Sequence, residues 1–81
     1  MNQHTKKPYP LTITRDRYSG IYSDGVYLAW NENPDGVPQG PEGDDITCAE
    51  FWGEYAGIVG KGKTPEEAII NLMKCPGVTL V

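Results

Sequence analysis

The sequence has 81 residues, which sets one domain as the upper limit for this chain. Its 11 acidic and 7 basic side chains give a formal charge of −4, which argues against non-specific binding to nucleic acid, because such binding depends on Lys and Arg neutralising phosphates. The same charge favours a basic protein as the partner.

The composition also argues against a membrane span and a metal centre. No apolar run approaches the roughly 20 residues that cross a bilayer, and residues 1–10 contain no signal-peptide core. Cys48 and Cys75 form no C-x-x-C motif, and the one histidine, His4, lies in a polar N-terminal segment. We therefore expect a cytoplasmic protein with reduced thiols, no metal and no cofactor, with a Cys48–Cys75 disulfide as the alternative.

The first structured element is a strand that follows a flexible tail over residues 1–8. From Tyr9 the chain alternates apolar and polar residues, and Tyr9, Leu11 and Ile13 share one side. This period of two predicts a half-buried strand. We expect a single domain over residues 9–81.

A hairpin is predicted next. Runs 19–23 and 26–30 are separated by Asp24-Gly25, and an Asp-Gly pair is typical of a type I′ turn because both central residues need positive φ. Alternation along the second run places Leu28 and Trp30 on the core face.

Residues 31–45, NENPDGVPQGPEGDD, predict an acidic surface loop. Its prolines and glycines exclude a long regular element. A loop of this length in so small a domain is usually functional or disordered. The spacing partly follows the EF-hand calcium pattern, but Asn31 stands where the first carboxylate ligand belongs, which favours a plain loop over a calcium site.

After the loop, Thr47 and Glu50 fit a capping box, which predicts one or two helical turns that end at Gly53. These turns carry Phe51 and Trp52 onto the core. Residues 55–59 predict a further strand.

The segment 57–68, GIVGKGKTPEEA, matches the G-x-x-x-x-G-K-[ST] template of phosphate-binding loops. A working loop of that kind needs a later strand with an acid for Mg²⁺, and nothing that follows fits that role. We therefore interpret the segment as a strand, a tight turn and a helix start. The weaker alternative is an anion held by Lys61, Lys63 and the helix start at Thr64.

The main helix is predicted over residues 64–74. Thr64 can cap it, Pro65 suits the first helical position, and Glu67 completes a capping box. Four apolar residues then share one helical stripe: Ala68, Ile69, Leu72 and Met73. A Pro-Gly pair ends the helix, before a predicted terminal strand over residues 78–81.

This order of elements resembles the HicB-type antitoxin domain. Tyr9-Pro10 matches the start of that domain's meander, and the run from Gly62 to Ala68 with Asn71 matches its G-x-T-x-E-E-A-x-x-N stretch. The DNA-binding segment of those antitoxins has no counterpart here, and the acidic loop departs from their usual pattern. The resemblance implies a compact sheet-and-helix domain that acts by binding a protein, often as an oligomer. The sequence also looks like short proteins of bacteriophages and mobile elements.

We therefore predict an α+β fold, with an antiparallel sheet of three to five strands and one main helix on one face. The expected function is a non-enzymatic, HicB-like module that neutralises or regulates a basic protein partner. One concrete form of this function is a phage-borne inhibitor of host defence, and a homodimer or higher oligomer is a possible assembly. The partner-binding candidates are loop acids and aromatic residues, since aromatic side chains often dominate interfaces: Glu42, Asp44, Asp45, Tyr22, Tyr27 and Trp52. The alternative is a small anionic, nucleotide-like ligand bound by Lys61, Lys63 and Thr64, with Arg15 or Arg17.

Overall fold

The structure, a computed structural model, describes residues 7–81. Within this range the chain forms three strands and two α-helices, in the order β1 (Thr12–Arg15), β2 (Tyr27–Trp30), α1 (Asp45–Glu54), β3 (Val59–Gly62) and α2 (Pro65–Met73). Two short 3₁₀ turns, Pro34–Gly36 and Gly40–Glu42, lie in the predicted acidic loop. The predicted α+β class is confirmed.

The described strands form one antiparallel sheet with the order β1-β2-β3, within the predicted range of three to five strands. Ile13 of β1 lies opposite Ala29 of β2, and Ala29 lies opposite Gly60 of β3. Leu28, Ala29 and Trp30 are each at most 1% exposed. Because successive strand residues point to opposite faces, this burial means that both faces of β2 are covered.

α2 covers the sheet face that carries Ala29. The predicted cap is confirmed, since Thr64 Oγ1 accepts a hydrogen bond from the Glu67 amide at 3.1 Å. Ala68 and Leu72 are fully buried and pack against Ala29. Gly60 faces this helix without a side chain, and a Cβ there would collide with the α2 backbone. Glycine therefore lets strand and helix approach closely.

α1 covers the opposite face and corrects two predictions. The helix has ten residues rather than one or two turns, and it runs past Gly53 to Glu54. Its N-cap is Asp44 instead of Thr47, because the Asp44 carboxylate accepts a hydrogen bond from the Thr47 amide at 2.8 Å. The sheet therefore has a helix on each face, where we predicted one main helix on one face.

The predicted hairpin at Asp24-Gly25 is wrong. Residues 19–23 form turns, and β2 pairs directly with β1. Asp24 has a positive φ (71°) but Gly25 does not, so this pair does not form the predicted type I′ turn. Two consecutive positive φ angles lie instead at Ser19 (56°) and Gly20 (93°). The buried Asp16 side chain explains this difference, because it accepts a hydrogen bond from the Gly20 amide at 2.6 Å while the Asp16 amide binds the Val26 carbonyl at 2.7 Å.

The start of β3 and the N-terminal limit of the domain also differ from the predicted boundaries. β3 begins at Val59, so most of the predicted strand 55–59 is the connection that leaves α1. Near the chain ends, Lys7 and Val81 exchange two backbone hydrogen bonds, each 2.9 Å long, beside a single bridge between Pro8 and Leu80. The domain therefore includes Lys7 and Pro8 from the predicted tail. Residues 1–6 of that tail lie outside the described residues.

The first predicted strand is shorter and less buried than expected. β1 starts at Thr12, and of its predicted inner residues only Ile13 packs against the core. Tyr9 is 62% exposed and Leu11 is 36% exposed.

Candidate functional site

The segment that matches a phosphate-binding loop forms a strand and a helix start, as predicted. Gly60, Lys61 and Gly62 belong to β3, and only Lys63 and Thr64 connect β3 to α2. The Glu67 side chain completes the capping box at the start of α2, since its Oε1 accepts a hydrogen bond from the Lys63 amide at 2.8 Å. Lys61 points to the other sheet face, where its Nζ lies 5.0 Å from the centre of the Trp52 ring. The structure thus separates Lys61 from Thr64, and the anion-binding alternative stays a prediction.

Four of the predicted partner-binding residues lie around the start of α1. Tyr22 Oη donates a hydrogen bond to Asp45 Oδ1 at 2.8 Å, which connects the β1–β2 loop to the helix. This bond to a carboxylate raises the pKa of Tyr22. The hydrogen bond from the Thr47 amide lowers the pKa of Asp44. Glu42 is exposed two residues before that cap.

Arg17 and Tyr18 hold the acidic segment in place. Arg17 Nη1 donates to the Glu42 carbonyl at 2.9 Å and to the Gly43 carbonyl at 3.2 Å. Tyr18 Oη also donates to the Gly43 carbonyl, at 2.9 Å. Our sequence reasoning missed this role, because it considered Arg17 only as an anion ligand. The sequence signal for this role was a positively charged residue within a turn that also contains two tyrosines.

Exposed aliphatic side chains adjoin these acids. Ile21, next to Tyr22, is 76% exposed, and Ile46, next to Asp45, is 71% exposed. Large apolar side chains this exposed often mark interaction surfaces when they occur together. Sequence reasoning did not select either isoleucine. We call this set of residues the α1 surface: Ile21, Tyr22, Glu42, Asp44, Asp45 and Ile46.

The other two predicted contact residues lie elsewhere. Tyr27 is half-buried and packs against the core formed by Ala29, Ala68 and Leu72. Trp52 belongs to α1 and is half-buried, with its ring 6.0 Å from that of Trp30 in β2 and 4.9 Å from that of Phe51. The structure therefore does not bring Tyr27 or Trp52 into the α1 surface.

A groove of about 600 Å³ lies between β1 and the acidic loop. Its lining consists of two strand threonines and a stretch of the loop: Thr12, Thr14, Pro34, Asp35, Val37, Pro38, Gln39, Glu42 and Gly43. Two of these residues are acidic, and within the described chain no lysine or arginine lines the groove. Glu42 also belongs to the α1 surface, so the two regions are continuous.

Asn31, the first residue of the calcium-like pattern, serves a structural role. Its Nδ2 donates to the Pro10 carbonyl at 2.8 Å, and its Oδ1 accepts a hydrogen bond from the Thr79 amide at 2.5 Å. In the described part of the chain, no three His, Cys, Asp or Glu side chains converge as a metal-binding group.

The two cysteines are free thiols. Cys48 is buried in α1, and this burial raises the pKa of its thiol. Cys75 follows α2, where its Sγ lies 3.5 Å from the Asn71 carbonyl.

Comparison with protein-family models, curated proteins and solved structures gave no match. The resemblance to HicB-type antitoxins therefore stays a prediction. Among the helices of residues 7–81, none has the length and apolar character needed to span a bilayer.

Proposed function

We propose that this chain is a non-enzymatic module that binds a basic protein through the α1 surface. The observation that carries the proposal is the pairing of two highly exposed isoleucines, Ile21 and Ile46, with the neighbouring carboxylates of Asp44 and Asp45. Exposed aliphatic side chains gain free energy when a partner buries them. Carboxylates steer a basic partner and select its orientation.

The hydrogen bonds within the surface support this proposal. Asp44 is held by the Thr47 amide, Asp45 by Tyr22 and the Glu42–Gly43 backbone by Arg17. Groups that are already ordered lose less conformational freedom when a partner binds. The same bonds explain these carboxylates as structural groups, which fits a binding module better than an enzyme.

The biological role we propose is neutralisation or regulation of the partner in the cytoplasm, as the resemblance to HicB-type antitoxins implies. An inhibitor of host defence carried by a bacteriophage is one concrete form of this role. The partner of such an inhibitor would present Lys or Arg beside an apolar patch, because the α1 surface has the complementary character.

The test uses the full chain as bait in a bacterial lysate at low salt, followed by affinity measurements with the purified captured protein. The double variant Asp45→Lys/Ile46→Lys should weaken binding by about 100-fold, as expected when an interface loses a charge pair and an apolar contact. The matched control is Glu66→Lys/Ile70→Lys, which makes the same changes on α2. Glu66 is in the first turn of that helix, and Ile70 is 53% exposed.

The control should bind within about threefold of the wild type, because surface substitutions away from an interface usually have small effects. If both double variants bind the captured protein as tightly as the wild type, the proposed surface is wrong. Capture of no protein at micromolar bait concentration contradicts the proposed function as a whole.

A further inference from the structure

Within residues 7–81, no strand pairs with the outer edge of β1. The bond from the Asp16 amide to the Val26 carbonyl fixes which strand residues pair, because hydrogen-bonded and non-hydrogen-bonded pairs alternate along antiparallel strands. Thr12 and Thr14 therefore direct their backbone groups toward β2, and Ile13 and Arg15 direct theirs away from the sheet. Among residues 7–81, no hydrogen-bond partner for these outward groups occurs in another segment.

The outer edge of β3 is blocked by side chains of α2 and the residue that follows its end. The same alternation turns the Val59 and Lys61 carbonyls outward. Asn71 Nδ2 donates to the Lys61 carbonyl at 2.6 Å, and Cys75 Sγ lies 3.6 Å from the Val59 carbonyl. Proteins commonly cover edge strands, because unpaired backbone groups there can pair with another chain. No side chain in the described range 7–81 covers the outward groups of β1 in this way.

The groove follows the open edge on one face of the sheet. Thr14 faces that side, since its Oγ1 accepts a hydrogen bond from Trp30 Nε1 at 2.9 Å. A strand added beside β1 would alternate its side chains, so every second one would lie over the groove. Asp35, Glu42 and the apolar Val37 are among the residues that line the groove there. A long basic side chain with an aliphatic stem would complement this lining in charge and in polarity.

We propose that β1 accepts an extended segment of a basic protein as a fourth strand, with alternate Lys or Arg side chains of that segment in the groove. This inference rests on the proposed function, because it gives the basic partner its mode of binding. Main-chain hydrogen bonds to Ile13 and Arg15 provide affinity, and the groove selects the side chains.

Charge distinguishes this occupant from a second copy of the chain. If two β1 strands paired with each other, Thr12 and Thr14 of each copy would lie on the groove side, and neither threonine carries a positive charge. Such pairing would also bring two grooves close together, each with Asp35 and Glu42. Like charges placed close together disfavour an interface.

The experiment measures backbone amide exchange by NMR in the full ¹⁵N-labelled chain, with acetyl-KVKVKVK-amide as the probe and acetyl-EVEVEVE-amide as the charge control. Without peptide, the amides of Ile13 and Arg15 should exchange faster than those of Thr14 and Asp16, which face β2. The lysine peptide should slow exchange at Ile13 and Arg15 by about tenfold or more, as expected for newly formed strand hydrogen bonds. The glutamate peptide should leave both unchanged.

Two variants at one exposed position separate backbone pairing from charge. Arg15→Pro removes an outward N–H at a sheet edge, where proline is tolerated, whereas Arg15→Ala removes only the side chain. Arg15→Pro should weaken binding of the lysine peptide by about tenfold, the effect of one lost hydrogen bond in a dry interface. Arg15→Ala should bind the peptide as tightly as the wild type or more tightly.

Three results would overturn strand addition by a basic segment: no binding of the lysine peptide at millimolar concentration, binding without slower exchange at Ile13 and Arg15, or concentration-dependent slowing without peptide, which would indicate pairing between copies. These measurements use the wild-type chain and do not require that Arg15→Pro folds. A captured partner that is sensitive to Asp45→Lys/Ile46→Lys but not to Arg15→Pro would refute strand addition and leave the proposed function standing. Binding of the lysine peptide at β1, with no protein captured from the lysate, would refute the proposed function and leave strand addition standing.

Discussion

The two faces of the sheet are covered in different ways. On one face, α2 lies directly against β3, because Gly60 and Gly62 leave no side chains between strand and helix. On the other face, a layer of aromatic rings separates α1 from the sheet, and the ring of Trp30 lies 6.0 Å from that of Trp52 and 5.9 Å from that of Tyr55. Backbone contact leaves little space for change, whereas an aromatic layer supplies large buried areas with adjustable geometry.

The two helices also differ in the roles that we assign to them. α2 directs its buried residues to the sheet and uses Asn71 to cover the β3 edge. α1 packs through Cys48, Phe51 and Trp52. It presents Asp45 and Ile46 at its exposed start. We infer that α2 stabilises the sheet and that α1 places the proposed binding surface.

The largest expected effect breaks the backbone contact on the α2 face. Gly60→Val should lower the free energy of unfolding by about 3 kcal/mol, because the new side chain would collide with the Ala68 carbonyl. Urea denaturation measures this change. The control is Gly53→Ala on α1, where an added Cβ meets no atom within 4 Å; it should raise stability by about 0.5–1 kcal/mol. Equal midpoints for Gly60→Val and the wild type would disprove the close contact.

A smaller effect is expected from the aromatic layer on the α1 face. Trp52→Ala should lower the free energy of unfolding by about 2 kcal/mol, less than for a fully buried Trp because this side chain is half-buried. Near-ultraviolet circular dichroism should also lose signal, since Trp52 contacts Trp30. Ile46→Ala, an exposed change in the same helix, should stay within about 0.5 kcal/mol of the wild type. Similar losses for both variants would contradict the aromatic layer.

The hydrogen bond from Asn71 of α2 to the β3 edge should contribute still less to the free energy of unfolding. Asn71→Ala should lower the free energy of unfolding by about 1.5 kcal/mol, because the half-buried Lys61 carbonyl loses its donor. It should also make the Cys75 and Lys61 region accessible to strand pairing, which gel filtration over a concentration series would detect. Asn33→Ala, at an exposed position, is the matched control. Unchanged stability in Asn71→Ala would show that this side chain does not protect the edge.

The smallest expected effect concerns the start of α1. Because the pKa of Asp44 in the folded chain lies below its ordinary value of 3.8, the carboxylate stabilises the fold fully above that pH and loses this contribution as the pH falls through the lowered pKa. The chemical shift of the Thr47 amide should therefore titrate in acid, below pH 3.8. Asp44→Asn keeps a capping oxygen without a charge, so its Thr47 amide should not titrate there. A titration that persists in Asp44→Asn would assign the effect to another group.

The candidate site was predictable in part. Glu42, Asp44, Asp45 and Tyr22 could be selected from the sequence, because an acidic loop beside aromatic residues favours a contact surface. The exposure of Ile21 and Ile46 could not be predicted, since an isoleucine in a sequence is more often buried than exposed. Tyr27 and Trp52 were selected by residue type alone, and the structure places both away from the α1 surface.

The sequence by itself determined the features that depend on neighbours within a few residues. The cap of α2 is one, because Thr64 and Glu67 meet within a single turn. The burial of Leu28 and Trp30 is another, since alternation along a strand sets the direction of each side chain. The α+β class follows from the order of such local elements.

Only the tertiary structure decided the features that depend on distant residues. Arg17 binds the Glu42 carbonyl across 25 positions in the chain, and Asp16 closes the β1–β2 loop at Val26, so neither the failure of the predicted hairpin nor the placement of the acidic segment follows from local propensity. The open edge of β1 is a property of the whole sheet, because a strand becomes an edge only through the choice of its partners.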